Sequence, residues 1–260
     1  MLRHRQRVSI QRRRLINQAK AVLRRYGLAL PKEADIRRAV GCKEIEALPA
    51  EERVILLSAL RQLGPVEAEL QELDREIARQ VAHVPAVRLL LTLTGVRVIT
   101  AATIWAWIGD PNRFKGPKQV GRYAGLDASV LQSGEQDRRG HISKQGNRQL
   151  RAALIEAAQV VAMHDDGYLG QFYQHKLHQI GHKRAVVALA RKILIVAWQM
   201  MRTGQAYRAV RPKLMRSKLA ELRQACRRPA PWQALLDELF PAPAEPAPVG
   251  RRKRARAPAA

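Results

Sequence analysis

Residues 185–201, AVVALARKILIVAWQMM, form the most apolar stretch of this sequence. Arg191 and Lys192 interrupt it, and it is shorter than the roughly 20 apolar residues that a bilayer span requires. Its length and composition favour a helix over a strand. We therefore predict a buried helix in the core of a mainly α protein, and no membrane span.

Helical patterns continue on both sides of this stretch, and the longest of them precede it. They cover residues 86–93, 98–108, 119–123, 147–163, 168–179 and, downstream, 213–225 and 232–240. Between Gly125 and Gly146 lies a stretch rich in glycine, serine and charge that has no helical period. Residues 130–131 and 141–142 could pair there as a short β-hairpin, although the strand signal is weak. We expect a compact helical domain at 85–212 that presents this irregular or β-hairpin insertion.

The first 84 residues predict a basic helix and a coiled-coil arm. Residues 2–26 contain no acidic residue, and their apolar positions follow the helical period up to Gly27, which suits a C′ cap. This basic helical segment, 1–48, either contacts nucleic acid or is a solvated helix docked by one face. Residues 49–84 carry a coiled-coil stripe, which we expect Gly64-Pro65 to divide into two helices. The stripe either mediates self-association or packs within one chain.

The C-terminal part is predicted as terminal helices at 213–240 and a tail at 241–260. The tail, PAPAEPAPVGRRKRARAPAA, is rich in proline and alanine and contains a basic cluster. It cannot bury a core, so we expect it to be disordered and to add nonspecific affinity for phosphates.

The charge balance points to a polyanionic partner. The chain has 47 lysines and arginines against 22 acidic residues, a formal charge of +25. Nucleic acid is the usual partner of so basic a protein, although a ribosomal protein or a protein that binds a membrane surface would also carry positive charge. Aromatic residues make up only 5% of the chain, which argues against a base-stacking sheet module.

Cysteine and histidine usage argues against a metal site. Cys42 and Cys226 are the only cysteines and lie far apart, which fits a reducing cytoplasm better than a disulfide framework or a zinc finger. His175, His178 and His182 fall near one helical face, but no cysteine or acid completes a ligand set. We interpret them as surface histidines and predict no metal site in this chain.

A first candidate for nucleic-acid contact is residues 94–110, TGVRVITAATIWAWIGD. One helix ends, a turn with Gly95 follows, and a second helix begins near Val98, as in a helix-hairpin-helix. Backbone N–H groups at such a turn can bind a DNA phosphate without reading its sequence. Arg97 stands where the usual hairpin has its second glycine, which adds a cation but hinders close approach. Simple helix packing is the alternative.

A second candidate is the polar stretch that contains Ser133-Gly134. Its basic residues are Arg138, Arg139, Lys144, Arg148 and Arg151. Guanidinium groups can bind a phosphate and stabilise the charge that develops when it is attacked, but a serine must be positioned and activated to act as a nucleophile. By itself, Ser-Gly is a common turn pair. Asn147 is predicted to be the N-cap of the following helix.

The order of these motifs resembles the C-terminal domain of the DEDD-type insertion-sequence transposases, of the IS110/IS116/IS902 type. That family is related to the pilin-gene inverting recombinases and includes the bridge-RNA-guided recombinases. The resemblance rests on TGVRVITAATIWAWIGD, RFKGPKQVGRYAGL, the Ser-Gly pair, GHISKQGNRQLRAAL and GHKRAVVALARKIL, from Pro85 to about Tyr207. Upstream, residues 2–28 and 50–84 look like the family's basic helix and coiled coil.

The resemblance implies an active site made of two parts. An N-terminal RuvC-like domain holds divalent metal, expected to be Mg²⁺, on four acidic residues, and Ser133 matches the serine that attacks the DNA backbone to give a phosphoserine. The chain begins just after the place where that domain would end, so we expect it to be truncated, to hold no cofactor itself, and not to catalyse recombination alone.

The expected partners are DNA, a structured guide RNA, and a second copy or full-length transposase through residues 50–84, in a bacterial cytoplasm at the nucleoid. The alternatives are a non-catalytic nucleic-acid-binding module and a dominant-negative interaction protein.

Overall fold

The computed structural model describes residues 1–28, 43–46, 48–133 and 136–226, all within one compact unit, Met1–Arg228. The predicted helix at 232–240 and the basic tail lie outside the described residues. The helices are α1 (Leu2–Arg25), α2 (Lys43–Glu46), α3 (Ala50–Val81), α4 (Pro85–Leu91), α5 (Val98–Ile108), α6 (Pro117–Tyr123), α7 (Arg148–His164), α8 (Tyr168–Ile180), α9 (His182–Thr203) and α10 (Pro212–Cys226). Strands β1 (Ala128–Ser133) and β2 (Gln136–Ile142) stand between α6 and α7, and a short 3₁₀ turn, Pro111–Arg113, precedes α6.

The mainly α fold is confirmed, and α9 is its central helix. Its buried side chains include Leu189, Ile193 and Trp198, and it packs against α7 and α8. The two cations that interrupt its apolar sequence lie at its surface. Arg191 pairs with Asp127, and the ammonium of Lys192 lies 5.2 Å from the centre of the Tyr168 ring. None of the described helices is long and apolar enough to cross a membrane.

Helices α1 and α3 pack against each other as an antiparallel pair. The buried face of α1 is formed by Val8, Leu15, Ile16, Ala19, Val22 and Leu23, which share a core cluster with Leu56, Leu60 and Leu63 of α3. Ion pairs border this cluster: Arg5 binds Asp74 at 2.5 and 3.1 Å, and Arg12 binds Glu67 at 3.0 Å. Residues 49–84 therefore pack within one chain, as one of the two alternatives has it, while self-association stays a prediction.

The expected break at Gly64-Pro65 is wrong, because α3 runs continuously from Ala50 to Val81 with Pro65 inside it. Proline inside a helix removes one hydrogen bond and costs about 3 kcal/mol. Leu63 and Val66 on either side of the pair are buried. Burial of a large apolar side chain stabilises by about 1.5–3 kcal/mol, so their packing offsets the loss.

The connection from α4 to α5 is a tight turn that ends against other helices. Gly95 has φ +78°, a left-handed conformation that suits glycine. A Cβ at Gly95 would lie 2.4 Å from Cγ2 of Val161 and 2.8 Å from the Ala157 carbonyl oxygen, both on α7. The glycine therefore allows the turn to approach α7 closely.

The two strands form an antiparallel hairpin in the stretch that has no helical period. Ala128 pairs with Ile142, Val130 with Arg139 and Ser133 with Gln136, with a register irregularity between Ala128 and Val130. Within the described residues, each strand makes most of its backbone contacts with the other strand. The hairpin is thus a separate arm that begins at the junction of α6 and α7.

Candidate nucleic-acid interface

Ser133 is the last described residue of β1 and belongs to the pair nearest the hairpin turn, opposite Gln136. Since a strand rises about 3.3 Å per residue, Ser133 lies about 17 Å along the strand from Ala128. Arg138 and Arg139 follow on β2, opposite Leu131 and Val130. Gly134 lies outside the described residues. The backbone therefore carries the serine at the tip of the arm and the two arginines on the adjoining strand.

The base of this arm is held by a network of hydrogen bonds. The Ser143 N–H donates to the Asp127 carbonyl at 2.8 Å, and the Asn147 N–H donates to the Tyr123 carbonyl at 2.8 Å. The Asp127 carboxylate pairs with Arg191 of α9 at 3.1 Å, which ties the arm to the central helix. These contacts fix the direction in which the hairpin leaves the domain.

The three basic residues predicted at the end of this stretch have different environments. Lys144 and Arg148 are exposed, and Lys144 has φ +54°. Arg151 is half-buried, and its Nη1 donates to the Ala124 carbonyl at 2.9 Å. Burial, and then the charge of Arg148, lower the pKa of Arg151. Lys144 and Arg148 are therefore accessible to a phosphate, while Arg151 also holds the arm's base in place.

Asn147 caps α7 as predicted. Its Oδ1 accepts hydrogen bonds from the N–H groups of Gln149 and Leu150, each at 3.0 Å. This cap sets the first turn of α7, which carries Arg148, directly at the base of the hairpin.

At the other predicted contact, Arg97 and Gly95 differ in accessibility. The side chain of Arg97 is 69% exposed and its Nη2 pairs with Oε2 of Glu221 at 2.6 Å. Arg97 stands at the N-cap of α5, where no side chain caps the helix. The Gly95 turn faces α7, which agrees with the packing alternative for this glycine. Phosphate contact through Arg97 and the start of α5 stays a prediction.

Sequence reasoning missed Lys218, which supports this same turn from α10. Its side chain is buried, and its Nζ donates to the carbonyls of Leu91 and Leu93 at 2.8 and 2.7 Å. Burial, followed by the nearby Arg97, lowers the pKa of Lys218 to about 8. A signal was present, because Lys218 stands three residues after the buried Met215, on the apolar side of α10.

The three histidines predicted to be surface residues, His175, His178 and His182, are all exposed. His182 Nδ1 shares a hydrogen bond with the Tyr173 hydroxyl at 2.7 Å, and His175 contacts Gln179 at 3.0 Å. Across the described residues, no group of three or more histidines, cysteines or acids could hold a metal ion. The described residues thus include cations and an arm that carries a serine, but they do not include a ligand set for a divalent metal.

The residues of this arm lie within a range that matches a family of known proteins. Residues 87–174 match the family model described as "Transposase IS116/IS110/IS902 family", a range that contains the hairpin and both predicted contact regions. The transposase for insertion sequence element IS1328 of Yersinia enterocolitica is 28% identical over 211 residues, which cover 78% of this chain and 63% of that protein.

Two further relatives are also named as transposases. The transposase for insertion sequence element IS1111A of Coxiella burnetii is 26% identical over 224 residues, 80% of this chain and 59% of that protein. A putative transposase of Sinorhizobium fredii, y4rJ, is 34% identical over 125 residues, 46% of this chain and 31% of that protein. The chain thus spans about three fifths of the length of the insertion-sequence transposases from Yersinia and Coxiella.

Proposed function

We propose that this chain, whose residues 87–174 match the IS116/IS110/IS902 family of transposases, binds DNA and presents Ser133 to the DNA backbone during transposition of an insertion sequence. The observation that carries the proposal is the position of Ser133 at the tip of a two-stranded arm whose base is fixed to the domain core. Cations lie along the same arm and at its base, where a backbone phosphate would meet them.

The chemical step is a displacement at phosphorus. The Oγ of Ser133 forms a bond to a backbone phosphorus, the bond from that phosphorus to one sugar oxygen breaks, and the leaving oxygen takes up a proton. The proton of the serine hydroxyl leaves to a base. Arg138, which the register places on the same face of the hairpin as Ser133, supplies positive charge for the oxygens of the attacked phosphate. Attack by another strand's hydroxyl on the phosphoserine then releases the serine and joins the strands.

Divalent metal would activate the nucleophile or the leaving oxygen in such a transfer. By the family resemblance, we propose that a second, RuvC-like half would hold Mg²⁺ in the active assembly.

The test is the change Ser133→Ala in a reconstituted transposition reaction. Loss of a nucleophile that acts as a unit with its partners should lower recombination by about a thousandfold or more, and the covalent protein–DNA adduct should disappear from denaturing gels. Ser217→Ala, at an exposed serine of α10, is the matched control and should leave both unchanged.

DNA affinity separates the enzyme from a plain binding module. Ser133→Ala should retain the affinity of the parent chain, because the hydroxyl contributes little beside the cations. Recombination that continues in Ser133→Ala would show that the serine is idle and would favour a non-catalytic nucleic-acid-binding protein.

A second candidate function is that of an interaction protein that joins another transposase copy through α3. Val54, Ile55 and Leu57 leave apolar surface exposed at the start of that helix; Val54 is 62% exposed. Ile77, by contrast, is buried within the chain and is not available to a partner. If α3 mediates association, Val54→Glu combined with Leu57→Glu should abolish it in sedimentation or pull-down of tagged copies, while unchanged association would reject this candidate.

A further inference from the structure

A polar cleft lies between α1, α5 and α7, away from the tip of the hairpin. Its volume is about 180 Å³, and its walls contain Arg5 and Arg13 of α1, Thr100 and Trp107 of α5, and Arg148 of α7 among other residues. Arg148 belongs both to this cleft and to the base of the hairpin.

Two polar atoms in the cleft residues have no hydrogen-bond partner. Both Nε1 of Trp107 and Oε1 of Gln149 are buried and unpaired in the structure, and both residues line the cleft. Leaving such a group unpaired costs about 1–3 kcal/mol. The indole nitrogen can only donate, so its partner must be an acceptor. Both atoms are covered in the structure, so a ligand in the cleft reaches them only when the side chains of Trp107 and Gln149 rotate toward it.

The charges around the cleft favour an anion. Arg5 is paired with Asp74, and Nη2 of Arg13 lies 3.7 Å from Glu156. Arg148 is exposed, and no acidic partner is seen for it among the described residues. The guanidinium of Arg3 lies 5.0 Å from the centre of the Trp107 ring, which adds a further cation beside the indole. The arginines thus exceed the acids, and the unpaired donor stands among them.

We propose that this cleft binds one backbone phosphate of a nucleic-acid strand, together with its sugar. The proposal rests on the nucleic-acid binding proposed above and assigns it a second contact region. Arg148 and the indole N–H donate to the phosphate oxygens, and the carboxamide of Gln149 accepts from a sugar hydroxyl or a base amino group. The volume of about 180 Å³ is well above what a single water molecule needs, so a phosphate group with its sugar can enter the cleft.

The experiment measures binding of the full chain to labelled 15-nucleotide DNA, RNA and duplex DNA by fluorescence anisotropy. Trp107→Phe removes the N–H and keeps an aromatic ring, and Arg148→Gln removes one cation. Arg216→Gln, at an exposed arginine of α10 outside the cleft, is the matched control for charge. Loss of a hydrogen bond to a charged group should weaken single-strand binding about tenfold in Trp107→Phe. In Arg148→Gln, the slope of the logarithm of the binding constant against the logarithm of the salt concentration should also become shallower by about 0.7.

Nuclear magnetic resonance reports on the cleft directly. The indole N–H signal of Trp107, identified by its absence in Trp107→Phe, should shift when the unlabelled oligonucleotide is added. The thermal stability of free Trp107→Phe should not fall, because the removed N–H has no partner. Equal affinities for DNA and RNA would identify the phosphate as the main contact, and a preference for RNA would identify the 2′-hydroxyl as the donor to Gln149.

The experiment distinguishes failure of the cleft proposal from failure of the proposed nucleic-acid binding. If the parent chain binds no oligonucleotide, the proposed function and the cleft both fail. If it binds and the cleft variants match Arg216→Gln, with no shift of the indole signal, only the cleft proposal is overturned. The same holds if the signal shifts with inorganic phosphate but not with the oligonucleotide, or if the cleft variants change self-association and leave affinity intact, which would assign the cleft to a polypeptide.

Discussion

Lys218 should make the stability of this protein depend on pH in the alkaline range. Its side chain, only 4% exposed, is held beneath the turn between α4 and α5 by two backbone carbonyls, those of Leu91 and Leu93. Burial disfavours the charged ammonium and lowers its pKa from 10.5 to about 8, with a further lowering from Arg97 and an opposing effect of Glu221. A neutral amine can still donate to both carbonyls, so the contacts survive deprotonation.

The sign and size of the effect follow from linkage. Between the folded pKa, about 8, and the ordinary value, the unfolded chain binds more protons than the folded one, so stability rises with pH. The difference between the folded and the ordinary pKa corresponds to about 3 kcal/mol, and most of it should be gained between about pH 8 and 10.5. Below the folded pKa both states are protonated, and the cost of burying the charge is constant.

The assay is urea unfolding of the parent chain and of Lys218→Met at several pH values in this range. Other groups titrate as well, so the measured quantity is the difference in unfolding free energy between the two proteins. That difference should shift by about 2–3 kcal/mol in favour of the parent as the pH rises. Lys213→Met, at an exposed lysine of the same helix, should show no such shift. Parallel curves for the parent and Lys218→Met would refute the reasoning.

Three further substitutions test the turn at Gly95, the proline inside α3 and the cap of α7. Gly95→Ala should destabilise the protein by about 1–3 kcal/mol more than Gly204→Ala, since both glycines have positive φ but only the first Cβ meets another helix; equal melting temperatures would contradict this. Pro65→Ala should raise the unfolding free energy by about 1–3 kcal/mol by restoring a helical hydrogen bond, and a lower stability would show that the proline suits α3. Asn147→Ala should cost about 1 kcal/mol through the lost cap, measured by urea unfolding, with no change expected if the cap is dispensable.

Much of the fold could be predicted because local periodicity determines helices. The apolar spacing gave the main helices between 85 and 225 to within a few residues, and the cap at Asn147 depended only on neighbouring residues. The expectation for Pro65 failed because a local rule was applied where tertiary packing decides. Leu63 and Val66 bury their side chains against partners that no short window of sequence includes.

The candidate site, too, could be predicted only in part from the sequence. The sequence identified Ser133 and the cations near it, because residue type and order carry that signal, and it gave the charge of +25 that favours a polyanion. Their actions on DNA remain predictions. Arg151, predicted only as a phosphate ligand, donates to the Ala124 carbonyl, and this contact depends on how α6 approaches α7.

The sequence by itself determined the helices, the positive charge, the resemblance to the transposase family and the serine at the insertion, since each is a property of type, order or period. Only the tertiary structure decided that α1 pairs with α3 in one chain, that Gly95 faces α7, and that Lys218 holds the turn from more than a hundred residues away. It also placed Trp107 and Gln149 in one cleft. The physical reason is that burial and unpaired hydrogen-bonding groups arise where distant segments meet, and no local pattern records such a meeting.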